Sequence, residues 1–289
     1  MAADAAIAAL TEAAPAKVNL SLHLRGRRDD GYHLLESLVV FPESGDRVEV
    51  IPSNDLTLRI SGPFSSALGE EDSENLVLRA ARRLAAAHGI APKASISLVK
   101  NLPVASGIGG GSSDAAATLR ALARLWRVDV PAETALSLGA DVPVCMRAPA
   151  ASRMTGIGEK LSPAPRLPDF WMLLVNPRLG LETRRVFSNV HDVDPPRAPP
   201  TPDRFGTFED LREWLMSQRN DLQTPAIALC PRIGDVLSAL DPAPLARMSG
   251  SGATCFGIFP DRNSAEKTAA SIRAREPDWW CVTSSCGSG

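Results

Sequence analysis

Long apolar runs are missing from this sequence. None approaches the roughly 20 residues that a membrane-spanning helix needs, and Phe170 to Val175 is among the longest that go uninterrupted. Charge of one sign is missing too: Lys plus Arg number 31 against 33 Asp plus Glu, a formal net charge of −2. That balance leaves no electrostatic footprint for nucleic acid or an anionic membrane surface, although a local anion site is compatible with it. Aromatic residues make up 5% of the chain, with a single tyrosine, Tyr32. Cysteine is sparse. The five (Cys145, Cys230, Cys255, Cys281 and Cys286) are odd in number and lack zinc-ligand spacing. They read as a buried, reduced and inert set, with Cys286 near a frayed end, and they point to the cytoplasm. Lysine is scarce as well, five against 26 arginines, which makes Lys17 beside Asn19 at a strand start unusual.

What is present has the composition of an ordinary soluble globular protein, 44% hydrophobic and 22% charged. A length of 289 residues suits about two domains. A secretory signal would begin with positive charge, whereas Asp4 and Glu12 precede any basic residue, so the Ala-rich start reads as a frayed, partly helical leader. Lys17 to Leu24 alternates apolar and polar, the pattern of a half-buried strand, and His33 to Phe41 resumes it after a turn at Arg27 to Gly31. With Arg47–Ile51 and Leu56–Ile60, this part reads as an antiparallel sheet. Ser73 is placed to cap a helix ending at Gly89, and Ala94 to Val99 is a further strand. Later strands are expected at 151–155, 171–175, 254–259 and 279–283, and helices at 208–216, 221–229, 233–240 and 264–274. Five prolines between Pro195 and Pro202 fit no regular element and mark an extended surface loop. The whole is an α+β pattern without an internal repeat.

The most informative stretch is Pro103-Val104-Ala105-Ser106-Gly107-Ile108-Gly109-Gly110-Gly111-Ser112-Ser113-Asp114. Its glycines lift the Cβ barrier to positive φ, so successive backbone N–H groups can turn inward as an anion-binding nest. A helix expected to begin near Ser112 aims its dipole and free N–H groups at the same place, and a polyphosphate is the natural occupant. A Walker A loop would need Gly-Lys-Ser/Thr, and no lysine stands here. A protein-kinase glycine loop would be followed by a strand rather than a helix. The dinucleotide fingerprint fits Gly107 and Gly109 but meets Ser112 where its last glycine belongs, with Asp129 about twenty residues on; that reading stays open at this point.

The loop resembles that of the GHMP kinase superfamily, whose members phosphorylate small alcohols. Three further segments share the resemblance: Ala14-Pro15-Ala16-Lys17-Val18-Asn19-Leu20 leading to Asp30-Gly31-Tyr32-His33, then Leu138-Gly139-Ala140-Asp141-Val142-Pro143, then Met248-Ser249-Gly250-Ser251-Gly252-Ala253-Thr254. With Asp-Gly-Tyr-His, the combination is similar to the branch that acts in the non-mevalonate isoprenoid pathway, and it spans nearly the whole chain. The fold so implied is the two-lobed α+β GHMP kinase fold, with an N-terminal lobe like domain 2 of ribosomal protein S5 and the active site in the cleft between lobes. Residues 1–155 would form the ATP-binding domain and 156–289 the substrate domain.

The resemblance implies ATP-dependent phosphorylation of the 2-hydroxyl of 4-diphosphocytidyl-2-C-methyl-D-erythritol, with Mg²⁺ arriving on ATP through phosphates and water. Asp141 would take the acceptor's proton, and Lys17 would stabilise the charge and orient Asp141, a nearby ammonium holding a carboxylate ionised. On the acceptor side, Asn19 would contact substrate, Tyr32 and Phe187 would stack on the cytosine, His33 would bond its edge and Thr183 would lie near the hydroxyl. On the ATP side, Pro103 to Ser113 would wrap the phosphates, and Asn75 and Lys100 would lie near adenine and ribose. Arg184 and Arg185 stand where a proline often follows the threonine, and Val144-Cys145-Met146 where bulkier aromatics are common. The partners implied are small molecules, not nucleic acid or membrane, and the oligomeric state is left undetermined.

Overall fold

The computed structural model describes residues 9–68, 75–191, 196, 197 and 199–287. They form two compact units, each assembled from several chain segments. Unit 1 takes residues 9–14, Gly45–Val104 and Gly110–Met146; unit 2 takes Pro15–Ser44, Ala105–Gly109 and Arg147 onward. The division at 155/156 falls inside unit 2.

In unit 1 a four-stranded sheet runs in the order β1 (Leu10–Pro15), β4 (Gly45–Ile51), β6 (Ser95–Val99), β5 (Thr57–Ser61). The pairing of β4 with β6 is antiparallel and that of β5 with β6 parallel, so the expected all-antiparallel sheet is corrected here. The parallel pair is reached through a crossover that contains α1 (Leu76–Ala87), as parallel neighbours require. Alternation dictates what the sheet buries: Val48 lies opposite Leu98, and Val50 opposite Ile96, all four buried. Helix α2 (Gly110–Trp126) packs on β4 and on α1. Two shorter helices, α3 (Ala132–Leu138) and α4 (Val142–Cys145), pack on α2. The start of the chain is likewise corrected, because residues 10–15 are a strand rather than a helix, tied to α2 by Arg120, whose Nε donates to Glu12 and Nη2 to the Ala13 carbonyl. Residues 1–8 and Ser73, with the leader and cap expected there, lie outside the described residues. The described cap of α1 is Asn75, whose Oδ1 accepts from the Val77 amide at 2.9 Å.

Unit 2 contains two antiparallel four-stranded sheets. One runs β2 (Val18–Arg27), β3 (His33–Val40), β7 (Ser152–Gly156), β8 (Lys160–Pro163); the other runs β10 (Leu245–Met248), β11 (Cys255–Phe259), β9 (Phe170–Asn176), β12 (Trp280–Cys286). Helices α5 (Thr183–Ser188), α6 (Phe208–Met216), α7 (Gln223–Leu229), α8 (Arg232–Ala239) and α9 (Arg262–Arg275) complete it, and its core gathers Leu22, Leu173, Val175, Val236, Phe259 and Ile272. Two expectations change. Strand β2 is buried on both faces from Val18 to Leu24, not on one. Cys286 is buried at the end of a strand paired with Phe170, not in a frayed tail. The described prolines of the 195–202 stretch are irregular, as expected, and their carbonyls are taken by side chains: Trp214 Nε1 donates to Pro200 and Gln218 Nε2 to Pro199. Pro195 lies outside the described residues.

Candidate active site

Polar residues of β2 are buried without reaching water, so each must find a partner inside. Asn19 donates from Nδ2 to Ser37 Oγ at 2.7 Å, and the Ser37 hydroxyl donates to the Ser21 carbonyl at 2.6 Å. The Asn19 amide donates to Ser249 Oγ at 3.2 Å, across 230 positions of sequence. Ser249 Oγ in turn donates to the Gly107 carbonyl at 3.2 Å. One hydroxyl thus joins the strand of Asn19, the glycine loop and the Met248–Thr254 turn.

The loop's own backbone shows why glycine is required. Ala105, Gly107 and Gly109 have φ of +50°, +76° and +63°, in the left-handed region that side chains disfavour. A Cβ on Gly107 would lie 2.5 Å from the Gly252 nitrogen and 2.6 Å from the Ser249 carbonyl oxygen. Four successive carbonyls are turned into unit 2. Ala105 accepts from the Leu181 amide at 3.0 Å, Ser106 from Thr254 at 3.0 Å, Gly107 from Ser249, and Ile108 from the Lys17 amide at 2.8 Å. Lys17 is itself buried, its stem against Gly109, where a Cβ would come within 3.1 Å of the lysine Cβ. Helix α2 begins at Gly110, two residues earlier than expected. Gly110 and Gly111 belong to its first turn, so only part of the glycine run serves the positive-φ loop.

The residues expected on the acceptor side fall partly together. His33 and Phe187 stack at 5.1 Å between ring centroids, tilted by 34°. Burial, with Arg27 as a lesser cause, holds the imidazole below its usual pKa, and its Nδ1 is buried with no partner. Tyr32 is 59% exposed at the β2–β3 hairpin, its amide donating to Asp30 Oδ1 at 3.2 Å. Thr183, the first residue of α5, shares a 2.8 Å hydroxyl–hydroxyl bond with Ser251 in the third motif.

In unit 1, Asp141 precedes α4 and makes no capping hydrogen bond from its side chain, so its carboxylate is not consumed by that helix. The carbonyl of Cys145, at the end of α4, accepts from Arg120 of α2 at 3.0 Å, which fixes the short helix on the long one. Lys100 is enclosed within unit 1. It is 2% exposed, and its ammonium is paired with Asp46 and, at 2.7 Å, with Asp114. Burial alone would lower the lysine's pKa; the two carboxylates reverse that and raise it. Burial pushes the Asp114 carboxyl up, to about 8, against the pull of Lys100. Asp46 Oδ1 also accepts from the amides of Asn101 at 2.5 Å and Leu102 at 2.8 Å. The triad lies under the start of α2, since a Cβ on Gly110 would be 3.1 Å from the Lys100 nitrogen.

Several residues of this framework carry no sequence signal of their own. Asn176 donates to Thr254 Oγ1 at 2.9 Å, and Asn220 donates to the Met248 and Gly250 carbonyls. An asparagine just before a proline, as at Asn176, hints only at a turn.

Two family models match the chain: GHMP kinases N terminal domain over residues 75–151 and GHMP kinases C terminal over residues 203–278. These matches, with the α+β fold and the three-motif loop cluster, define a GHMP kinase. The 4-diphosphocytidyl-2-C-methyl-D-erythritol kinase of Ruegeria pomeroyi is 54% identical over 276 residues, covering 93% of this chain and 96% of that protein. The protein of the same name from Paramagnetospirillum magneticum is 51% identical over 278 residues, covering 92% and 95%. A crystal structure of 4-(cytidine 5'-diphospho)-2C-methyl-D-erythritol kinase superposes with a TM-score of 0.80 at 33% identity, over 96% of this chain and 100% of that one. The chain belongs to the 4-diphosphocytidyl-2-C-methyl-D-erythritol kinase family.

Proposed function

We propose that this chain transfers the γ-phosphoryl group of ATP to the 2-hydroxyl of 4-diphosphocytidyl-2-C-methyl-D-erythritol. The observation that carries the reading is the cluster of Lys17–Asn19, Ala105–Gly109 and Ser249–Thr254, three distant segments locked on a backbone that only glycine can follow at Gly107. With the carbonyls of 105–108 engaged inside, the amides of the loop are the groups offered to phosphate oxygens. Asp141 accepts the proton of the attacking hydroxyl as the new P–O bond forms and the bond from the γ-phosphorus to the β,γ-bridging oxygen breaks, releasing ADP. Lys17 supplies positive charge to the transferring group. Tyr32, His33 and Phe187 receive the cytosine, Asn19 and Thr183 face the erythritol, and Asn75 and Lys100 lie on the adenosine side, the Lys100 ammonium being engaged by Asp46 and Asp114.

Among the described residues no group of three His, Cys, Asp or Glu side chains is placed to hold a metal. Mg²⁺ is proposed to arrive with ATP, held by phosphates and water as that cation commonly is, where it would neutralise phosphate charge. Residues 1–155 are proposed as the ATP-binding domain and 156–289 as the substrate domain; the two family-model matches fall on either side of that division. No helix among the described residues is long and apolar enough to cross a membrane. A cytoplasmic location is proposed, supported by five cysteines that form no disulfide; burial pushes the Cys281 thiol up to about 11.

The test is phosphorus NMR of the product. ADP together with a new phosphomonoester on the 2-oxygen of the erythritol is expected. A phosphate on another oxygen, or none, contradicts the assignment.

A further inference from the structure

Asn220 belongs to none of the motifs that identify the family, yet it is 6% exposed and every hydrogen-bonding atom of its carboxamide is used. Nδ2 donates to the Met248 and Gly250 carbonyls, both at 2.8 Å, and Oδ1 accepts from the Leu222 amide at 2.9 Å. Those two carbonyls flank Ser249, whose hydroxyl donates to Gly107. We infer that Asn220 is a positioning residue for the phosphate loop: it holds the Met248–Gly250 turn in the conformation that presents Ser249 to Gly107. The inference rests on the reading that residues 105–109 take the phosphates of ATP.

The geometry leaves little slack. Gly250 has a φ of +53°, and a Cβ there would lie 2.5 Å from the Gly107 oxygen, so turn and loop touch backbone to backbone. A small displacement of the turn therefore displaces the loop. Asn220 is itself fixed by β2, the strand that carries Asn19. The Leu22 amide donates to the Arg219 carbonyl and the Asp221 amide to the Leu22 carbonyl, each at 2.9 Å, and the Leu24 amide donates to Asp221 Oδ2 at 2.7 Å. Arg247 clamps the same frame, its guanidinium donating to the carbonyls of Leu20, Leu215 and Gln218 at 2.6, 2.7 and 2.9 Å. The carboxamide is the link between this anchored frame and the turn. Aspartate has the same shape but would set a carboxylate oxygen against two carbonyl oxygens, turning two attractions into repulsions.

Asn220→Asp and Asn220→Ala are compared with the wild-type protein well below their melting temperatures, by steady-state kinetics and by amide hydrogen exchange with and without ATP. The expected result is a rise in KM for ATP of about tenfold or more, an acceptor KM within about twofold, and faster exchange at Gly107–Gly109. Should the charge of aspartate prevent folding, Asn220→Ala, which removes both donated hydrogen bonds without adding charge, is expected to show the same direction. A variant with a lowered Tm but wild-type KM for ATP and wild-type exchange at Gly107–Gly109 overturns the inference and leaves the phosphate-loop reading standing. Absence of ATP protection at those amides in the wild-type protein overturns both.

Discussion

At the scale of single residues, the chemistry assigned to Asp141 and the constraint seen at Gly107 make separate demands. Asp141 spends no side-chain hydrogen bond on capping α4. Asp141→Asn keeps the shape and removes the proton acceptor; kcat is expected to fall by about a hundredfold or more while the Kd for ATP stays within about threefold. Isothermal titration beside initial rates checks this, and normal turnover would remove Asp141 from the mechanism. Gly107→Ala meets backbone atoms at 2.5 and 2.6 Å with a φ of +76°, whereas a Cβ on Gly234 meets nothing within 4 Å. The expected order of damage to ATP use is therefore Gly107→Ala well above Gly234→Ala, read as KM for ATP. Asn19, Tyr32 and His33 were legible only through a motif. Their burial differs widely, from a wholly internal asparagine to a mostly exposed tyrosine, and nothing local in Val-Asn-Leu or Gly-Tyr-His sets that difference.

At the scale of elements, alternation and capping carried most of the pattern. The expected helix at Phe208–Met216 is the observed α6, with Thr207 and Asp210 forming a capping box. What local pattern did not reveal is partnership. The polar face of β2 looks like a solvent face by period alone, but Ser37, Gln218 and Ser249 cover it, and those partners lie 18 to 230 residues away. β5 was expected to be antiparallel because strand propensity says nothing of direction; its pairing follows from the crossover through α1. Lys100 shows the same limit, since a lysine ending a strand reads as solvated until Asp46 and Asp114 are placed beside it. Lys100→Met would leave Asp46 and Asp114 buried without their cationic partner. A loss of about 3–5 kcal/mol is expected in urea unfolding. Unchanged stability would mean the triad holds nothing together.

At the scale of the whole molecule, the motifs in order and spacing identified the family. Which chain segments belong to which compact unit was not legible, because it depends on which segments pair after folding: the Glu43 amide donates to the Ser285 carbonyl at 3.2 Å within unit 2, 242 positions apart in sequence. Global stability also carries a pH signature. His23 is buried, bonded through Nε2 to Gln218 Oε1 at 2.9 Å with Nδ1 unpartnered, and burial holds its pKa below 6.5 despite Gln218 and Asp221. His33 is shifted the same way. The unfolded chain then binds more protons than the folded one below the ordinary histidine value, so this contribution is present above pH 6.5 and is lost as the pH falls. The urea midpoint is expected to drop between about pH 7.5 and about pH 5.5, and His23→Gln should flatten that drop. An unchanged slope in the variant would place the pH dependence elsewhere.

The central claim, a kinase whose acceptor carries a cytidine diphosphate, is tested most directly by ATP-dependent ADP release from the purified protein with Mg²⁺. The 4-diphosphocytidyl-2-C-methyl-D-erythritol acceptor is compared with mevalonate, homoserine and galactose. Turnover with the cytidyl acceptor alone is the result this account predicts. Turnover with another alcohol and none with the cytidyl compound would contradict it, keeping the phosphate loop and discarding the pocket assigned to Tyr32, His33 and Phe187.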